Sequence, residues 1–151
     1  MQHPSTVTND ELELPGDGFL GDYLLYLLRK SYTNYSAKIY PQLLKMYEIT
    51  PEEWRLLTLL GDSGESDAGY LAKVVGQPID MFMETFYRMQ DRSYVKRNDE
   101  AKISLTASGE DMAKKLFEFA IAQETLILSE LSNEQRVSLK DSLKHIANSL
   151  A

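Results

Sequence analysis

The chain has 151 residues, no cysteine and a formal net charge of −7 at pH 7. This length favours one domain, and the lack of cysteine excludes disulfides, thiolate catalysis and cysteine-ligated zinc. No apolar run reaches the roughly 18 residues that a membrane-spanning helix needs, so we expect a cytoplasmic protein without a membrane partner. Because the chain is acidic, any affinity for nucleic acid must come from a local basic patch.

Residues 1–18 are predicted to form a flexible acidic tail. The segment contains acidic residues, two prolines and two glycines but no Lys or Arg, and it lacks the apolar periodicity of a helix or strand. Residues 19–151 are predicted to form a single domain.

The domain begins with a long amphipathic helix over about residues 19–45. Leucines and tyrosines recur there at steps of three and four residues, which is the helical period. Pro41 is expected to bend or restart this helix, because proline has no backbone N–H.

Residues 49–106 contain shorter elements in a recognisable order. Thr50 and Pro51 begin a helix that should end at the glycines near residues 61–64. A short helix with a cap at Ser66 or Asp67 follows, and 76–78 (Gly-Gln-Pro) form a tight turn. A helix over about 79–92 places Ile79, Phe82, Phe86 and Met89 on one face, and the last three are predicted to pack against Leu57, Leu60, Leu71 and Val75. Two strands, 94–97 and 102–105, then complete a winged helix-turn-helix pattern.

The C-terminal part is predicted to be helical over about residues 107–150, with helix starts at Thr106 and Ser132. Together with residues 19–45, it carries more apolar helix surface than one small domain can cover. This excess predicts a homodimer that pairs through the terminal helices.

Four sequence stretches resemble motifs of the MarR family of bacterial regulators. They are 49–57 (ITPEEWRLL), the Leu71-Ala72 pair with Gly76, the segment from Met89 to Arg97, and 105–109 (LTASG). The resemblance covers about residues 19–150. It implies a mainly α fold with a small β-hairpin wing, namely a winged helix-turn-helix (about 49–106) between long dimerisation helices (about 19–45 and 107–150). It also implies a homodimer that represses transcription until a small molecule releases it from DNA.

The helix over 79–92 departs from the family where the family reads DNA. The matching family positions typically hold hydroxyl residues and an arginine, whereas this chain has Asp80, Met81, Met83 and Glu84. Carboxylates repel phosphate and seldom contact bases. We therefore expect an atypical recognition-helix surface that binds DNA weakly.

The basic residues near this helix and the wing are the predicted DNA contacts. They are Arg55, Lys73, Arg88, Arg92, Lys96, Arg97 and Lys102. The wing also lacks the family's Asp-x-Arg pair at its tip, and Ser93 replaces the usual glycine before the first strand.

An effector pocket is predicted around Tyr40, Trp54 and Arg55, because the family binds phenolic or carboxylate compounds and these residues combine apolar walls with polar groups. Plain core packing explains most of the other tyrosines equally well. No cofactor or metal site is expected, since the two histidines lie far apart in the sequence. No catalytic motif is present, so the protein is predicted not to be an enzyme.

Two functions remain open on these observations. The first is an effector-responsive, homodimeric regulator that binds double-stranded DNA. The second is a MarR-like protein that has lost operator binding and acts through protein contacts, as a co-regulator or antirepressor; exposed Met81 and Met83 beside acidic residues favour this alternative.

Overall fold

The computed structural model of the chain describes residues 18–151. The predicted tail, apart from Gly18, therefore lies outside the described residues. The described residues fall into two compact units, with the boundary between Met46 and Tyr47. In order, the elements are α1 (Phe19–Asp22), α2 (Leu24–Tyr47), α3 (Pro51–Ser63), β1 (Ser66–Asp67), α4 (Ala68–Val75), α5 (Ile79–Asp91), β2 (Val95–Arg97), β3 (Lys102–Leu105), α6 (Ala107–Ile127) and α7 (Asn133–Ser149).

The first unit contains α1 and nearly all of α2. The predicted single helix is interrupted at Tyr23, whose extended backbone closes α1. α2 then continues through Pro41 without restarting. Next to the proline, Gln42 donates its side-chain amide to the carbonyl of Lys38 over 3.0 Å, which adds a hydrogen bond in the turn where the proline N–H is missing.

Local capping starts the helices of the second unit where the sequence predicts. Thr50 and Glu53 form a capping box at α3, and Ser132 and Gln135 form another at α7. Thr106 caps α6 by accepting from the backbone N–H of Gly109. Each of these caps depends on residues three positions apart, so the local sequence is enough to specify it.

The core of the second unit forms where α3, α4, α5, α6 and the sheet meet. Its members are at most 7% exposed, and they include Leu56, Leu57, Leu60, Leu71, Val75, Phe82, Phe86, Met89, Val95, Ile103, Leu116 and Phe119. By contrast, α7 contributes no buried residue.

The wing is part of a three-stranded antiparallel sheet with the order β1-β3-β2. Ser66 pairs with Ile103 in β3, and Arg97 pairs with Ile103 from the other side. The sequence predicts only the hairpin of β2 and β3. It misses β1 because two residues are too few to show an alternating pattern.

α3 continues through Gly61 and ends at Ser63, within the predicted segment 61–64. Gly64 follows as its cap with a positive φ of 79°. α6 ends at Ile127, and α7 begins at Asn133 after the predicted cap at Ser132.

Candidate nucleic-acid interface

The helix-turn-helix consists of α4, a turn at Gly76 to Pro78, and α5. Asp67 caps α4 by accepting from the backbone N–H of Tyr70 over 2.9 Å. Gly76 ends α4 with a left-handed backbone (φ 80°) that favours glycine. Its N–H and that of Gln77 both donate to the carbonyl of Ala72 over 3.0 Å. The turn therefore fixes the direction in which α5 leaves α4.

The inner face of α5 is the predicted one, with one exception. Phe82 and Met89 are fully buried and Phe86 is 1% exposed, while the predicted neighbours on α3 and α4 are also buried. Thr85 joins this face; its hydroxyl donates to the Met81 carbonyl and to Gln77. Ile79 was expected on the same face but is 48% exposed, because it is the first helical residue after Pro78 and lies a full turn before the packed part of the helix.

The outward face of α5 is acidic. Asp80, Glu84, Tyr87 and Asp91 are all exposed and recur at steps of four, three and four residues, which places them along one line of an α-helix. We call these four residues the α5 stripe. Met81 beside it is 55% exposed, whereas Met83 is half-buried rather than fully outward. Of these four residues, the motif comparison with the family marks only Asp80 and Glu84, although the same helical spacing adds Tyr87 and Asp91.

Arg88 and Arg92 of α5 turn towards a buried carboxylate. Glu53 of α3 is 3% exposed, and its carboxylate accepts from Arg88 Nε over 3.2 Å and lies 3.9 Å from Arg92 Nη1. The same carboxylate accepts from the backbone N–H of Thr50 over 2.9 Å. A buried charge requires such partners, so this cluster joins the start of α3 to the end of α5.

Arg92 is held further by backbone groups and an aromatic ring. Its guanidinium donates to the carbonyls of Glu48 (2.6 Å) and Tyr47 (3.2 Å), and it lies 5.1 Å from the ring centre of Tyr94. Both arginines were predicted to bind phosphate. Arg92 is 31% exposed and Arg88 is 51% exposed, and each is already part of the fold. No sequence motif marks the partner, Glu53, beyond its capping position.

The wing tip is short and closed by its own hydrogen bonds. Asn98 Oδ1 accepts from the backbone N–H groups of Glu100 (3.0 Å) and Lys102 (2.8 Å). Lys96 and Arg97 on β2 are exposed, and Arg97 Nε donates to the Ala101 carbonyl over 3.3 Å. Lys102 is half-buried and lies 4.0 Å from the carboxylate of Asp67. Lys96 and Arg97 are therefore the cations that the wing presents to solvent.

The carboxyl group of Asp67, at the start of α4, has a lowered pKa. The hydrogen bond from the Tyr70 N–H lowers the pKa of its carboxyl below the usual 3.8, and Lys102 adds to the shift in the same direction. Asp67 stays ionised under ordinary conditions, and this favours it as the cap at the positive end of α4.

The two predicted DNA contacts on α3 and α4 differ in accessibility. Lys73, in the last turn of α4, is exposed. Arg55, on α3, is half-buried and donates from Nη1 to the carbonyl of Val75 over 3.2 Å. Lys73 is thus available to a phosphate, whereas Arg55 supports the end of α4.

The predicted effector residues belong to both units. In the first unit, the hydroxyl groups of Tyr40 and Tyr32 lie 2.9 Å apart. In the second, Trp54 is half-buried and meets the ring of Phe119 edge to face at 6.3 Å. Arg55 lines a shallow groove of about 380 Å³ together with Thr58, Leu59, Asp62, Val74, Val75 and Phe117. A common pocket for Tyr40, Trp54 and Arg55 stays a prediction.

Between residues 18 and 151, no group of three acidic or histidine side chains is placed to hold a metal ion. None of the helices in that range is both long enough and apolar enough to cross a bilayer.

A helix-turn-helix followed by a β-hairpin and long terminal helices defines a winged helix-turn-helix protein. Several solved structures with this fold are similar to the chain. A MarR family transcriptional regulator from Silicibacter pomeroyi DSS-3 matches with a TM-score of 0.77 at 28% identity, over 89% of this chain and 100% of that chain. A second one from Silicibacter pomeroyi matches with a TM-score of 0.80 at 17% identity, over 93% of this chain and 98% of that one.

A third match has a described role. MepR, a transcription regulator of the Staphylococcus aureus multidrug efflux pump MepA, gives a TM-score of 0.66 at 20% identity, over 85% of this chain and 99% of that chain. No protein-family model and no curated protein matches the sequence. The chain has the fold of the MarR family of transcriptional regulators, which confirms the fold class and the resemblance drawn from the sequence.

Proposed function

We propose that this protein is a cytoplasmic, homodimeric transcriptional regulator that contacts double-stranded DNA weakly through α4 and the wing. The observation that carries this proposal is the exposure of Lys73, Lys96 and Arg97 around a complete helix-turn-helix. The α5 stripe works against it, because carboxylates facing the groove meet phosphate repulsion and lose solvation. Affinity then depends mainly on counterion release by these three cations.

The proposed dimer rests on apolar side chains that neither unit buries. In the second unit, Ile121 and Leu126 of α6 are 64% and 67% exposed, and Val137 of α7 is 60% exposed. In the first unit, Leu25 and Leu44 are 61% and 57% exposed. Apolar exposure on this scale is typical of subunit interfaces.

Sedimentation equilibrium tests the dimer. At micromolar concentration the protein should show twice the 17.2 kDa chain mass. Leu126→Asp should shift the equilibrium towards monomer, because it places a charge in an apolar interface. Gln90→Asp adds the same charge at an exposed position of α5 and should leave the mass unchanged. A wild-type monomer, or equal behaviour of the two variants, would contradict the dimer.

Fluorescence anisotropy with duplex DNA at several salt concentrations tests the DNA contact. Three available cations per subunit predict a log–log salt slope no steeper than about −5.4 per dimer, at roughly −0.9 per phosphate neutralised. Lys96→Ala should make the slope shallower by about 1.8 per dimer, whereas Lys115→Ala, at an exposed site on α6, should not change it. If the salt slope of Lys96→Ala equals that of the wild type, Lys96 of the wing does not contact DNA.

A double substitution, Asp80→Ser with Glu84→Arg, tests the role of the acidic recognition helix. Both positions are exposed, so the fold should be kept. The variant should bind duplex DNA more tightly and with a steeper salt slope. A wild type that binds one operator at nanomolar concentration, and a variant that loses this binding, would show instead that the two acids read bases.

We also propose that the protein responds to a small aromatic or carboxylate effector. The groove beside Arg55 combines a guanidinium with the apolar Leu59, Val74 and Phe117, which suits an anionic aromatic compound. Benzoate titrated against the wild type should raise the melting temperature, and against Arg55→Gln it should raise it less. An equal rise in both proteins would remove Arg55 from the effector site.

The second candidate function is regulation through protein contacts in place of operator binding. Its specific support is the α5 stripe, which has three carboxylates where a DNA reader needs hydrogen-bond donors. It predicts that the wild type binds no duplex DNA above the level of a variant that lacks Lys73, Lys96 and Arg97.

A further inference from the structure

The three carboxylates on the outward face of α5 form no ion pair between residues 18 and 151. The ion pairs formed within this range use Glu53, Asp67 and Glu124 as acids, and none uses Asp80, Glu84 or Asp91. The arginines closest along the helix, Arg88 and Arg92, are directed to Glu53 instead. The stripe therefore presents three uncompensated negative charges on one helix.

The stripe also has a definite length. From Asp80 to Asp91 an α-helix rises by about 16 Å, at about 1.5 Å per residue. Tyr87 lies within the stripe and is 52% exposed, and Met81 borders it and is 55% exposed. Tyrosine and methionine are enriched in protein interfaces, because the first combines an apolar ring with a polar group and the second adapts its shape.

We propose that the α5 stripe and Met81 form the docking surface for a basic amphipathic helix of a partner protein. The inference rests on the second candidate function and names its partner class. Charge complementarity identifies the partner, because the three carboxylates of the stripe attract cationic side chains. A helix of about three turns places Lys or Arg side chains over the same 16 Å when they recur at steps of three and four residues. Apolar residues beside those cations then cover Met81 and Tyr87.

Duplex DNA is the alternative occupant of this face, and the charges disfavour it. Each phosphate that approaches Asp80 or Glu84 meets a like charge in a partly desolvated groove. A cationic helix gains from the same carboxylates, and its apolar residues gain from covering the two large side chains.

Fluorescence anisotropy with a labelled helical peptide tests the proposal on the full chain. The probe has about 16 residues, with arginines at positions 1, 5, 8 and 12 and leucines next to them. A second peptide has the same composition, but its arginines are spread around the helix. The first peptide should bind at least about fivefold more tightly than the second.

Variants of the protein locate the binding site. Asp80→Asn with Glu84→Gln and Asp91→Asn should weaken binding of the first peptide at least about tenfold, and Met81→Ala should weaken it several-fold. The matched control is Asp111→Asn with Glu118→Gln and Asp141→Asn, which neutralises three exposed carboxylates on α6 and α7. This control should bind like the wild type, and circular dichroism should show that each variant melts as the wild type does.

Three outcomes would overturn the proposal. The first is equal binding of the two peptides, and the second is an α5 variant that binds the first peptide as tightly as the wild type. The third is a control variant that loses as much affinity as the α5 variant, because this would mean that only net charge matters. DNA titrations on the same proteins separate the hypotheses. Absent peptide binding with weak DNA binding rejects this inference alone, whereas a specific operator that the α5 variant fails to bind rejects both the inference and the second candidate function.

Discussion

Gly109→Ala should destabilise the protein, although alanine is the better helix former. Gly109 lies in the first turn of α6, and a Cβ built on it would lie 1.9 Å from the carbonyl oxygen of Tyr94 and 3.2 Å from Leu105 Cδ2. Carbon and carbonyl oxygen approach to about 3.3 Å even in weak hydrogen bonds. The base of the wing would therefore have to move away from α6 by roughly 1.4 Å.

The size of the effect follows from three contributions. The displaced Tyr94 carbonyl is the acceptor for the Thr106 N–H over 3.0 Å, and weakening this bond costs about 1 kcal/mol. Overpacking of this kind costs about 1–3 kcal/mol, and the helix propensity of alanine returns about 1 kcal/mol. The net loss is about 1–3 kcal/mol, which lowers the melting temperature of a chain this long by roughly 2–12 °C.

Two other helical glycines provide matched controls for the same substitution. At Gly61 the new Cβ would lie 3.0 Å from the Phe117 ring and 3.1 Å from Ala113 Cβ, and at Gly69 its nearest neighbour is Asp67 Oδ1 at 3.4 Å. Phe117 is half-buried and can shift, so Gly61→Ala should be nearly neutral. Gly69→Ala should be neutral or stabilising by up to about 1 kcal/mol. In thermal and urea unfolding, Gly69→Ala should be the most stable of the three variants, Gly61→Ala the next and Gly109→Ala the least. A Gly109→Ala protein as stable as the other two would refute the close approach of α6 to the wing.

Three further substitutions test other parts of the fold. Phe86→Ala should cost about 3–5 kcal/mol and lower the melting temperature by at least about 6 °C, because the ring is 1% exposed; an unchanged melting curve would contradict the packing of α5. Ser93→Gly should stabilise by about 0.5–1 kcal/mol, because Ser93 has a left-handed backbone (φ 61°), whereas Ser108→Gly, in the regular helix α6, should destabilise. Asp67→Asn should make the stability of the fold less sensitive to acid, because the pKa of Asp67 is lowered in the fold. The contribution of the Asp67 carboxylate to stability is complete above pH 3.8 and is lost as the pH falls through the folded pKa. If the urea midpoint falls by the same amount between pH 6 and pH 3 in the wild type and in Asp67→Asn, Asp67 does not have this role.

Local sequence was sufficient wherever the determining interactions are local. The starts of α3, α6 and α7 follow from Thr50, Thr106 and Ser132, because each cap acts on a backbone N–H three residues away. The buried face of α5 follows from the helical spacing of its apolar residues, since the hydrophobic effect selects that face whatever packs against it. The order of these elements, with the motif at 105–109, was enough to predict the MarR fold.

Sequence does not show which partner a charged side chain meets within the fold. Arg88 and Arg92 are basic and lie near the recognition helix, so the sequence predicts that they contact phosphate. Only the fold brings them to Glu53, which is 35 and 39 positions away in the chain and whose buried carboxylate requires a cationic partner.

The division between sequence and tertiary structure follows from the range of the forces. Helix caps, turns and apolar periodicity act within a few residues, and they determined the elements; the resemblance of four motifs to the MarR family then implied the fold. The contacts of Glu53, the third strand at Ser66 and Asp67, and the approach of Gly109 to Tyr94 depend on chain segments that meet only after folding. Those contacts decide which charges remain on the surface, and so they leave α5 acidic on the face that the family presents to DNA.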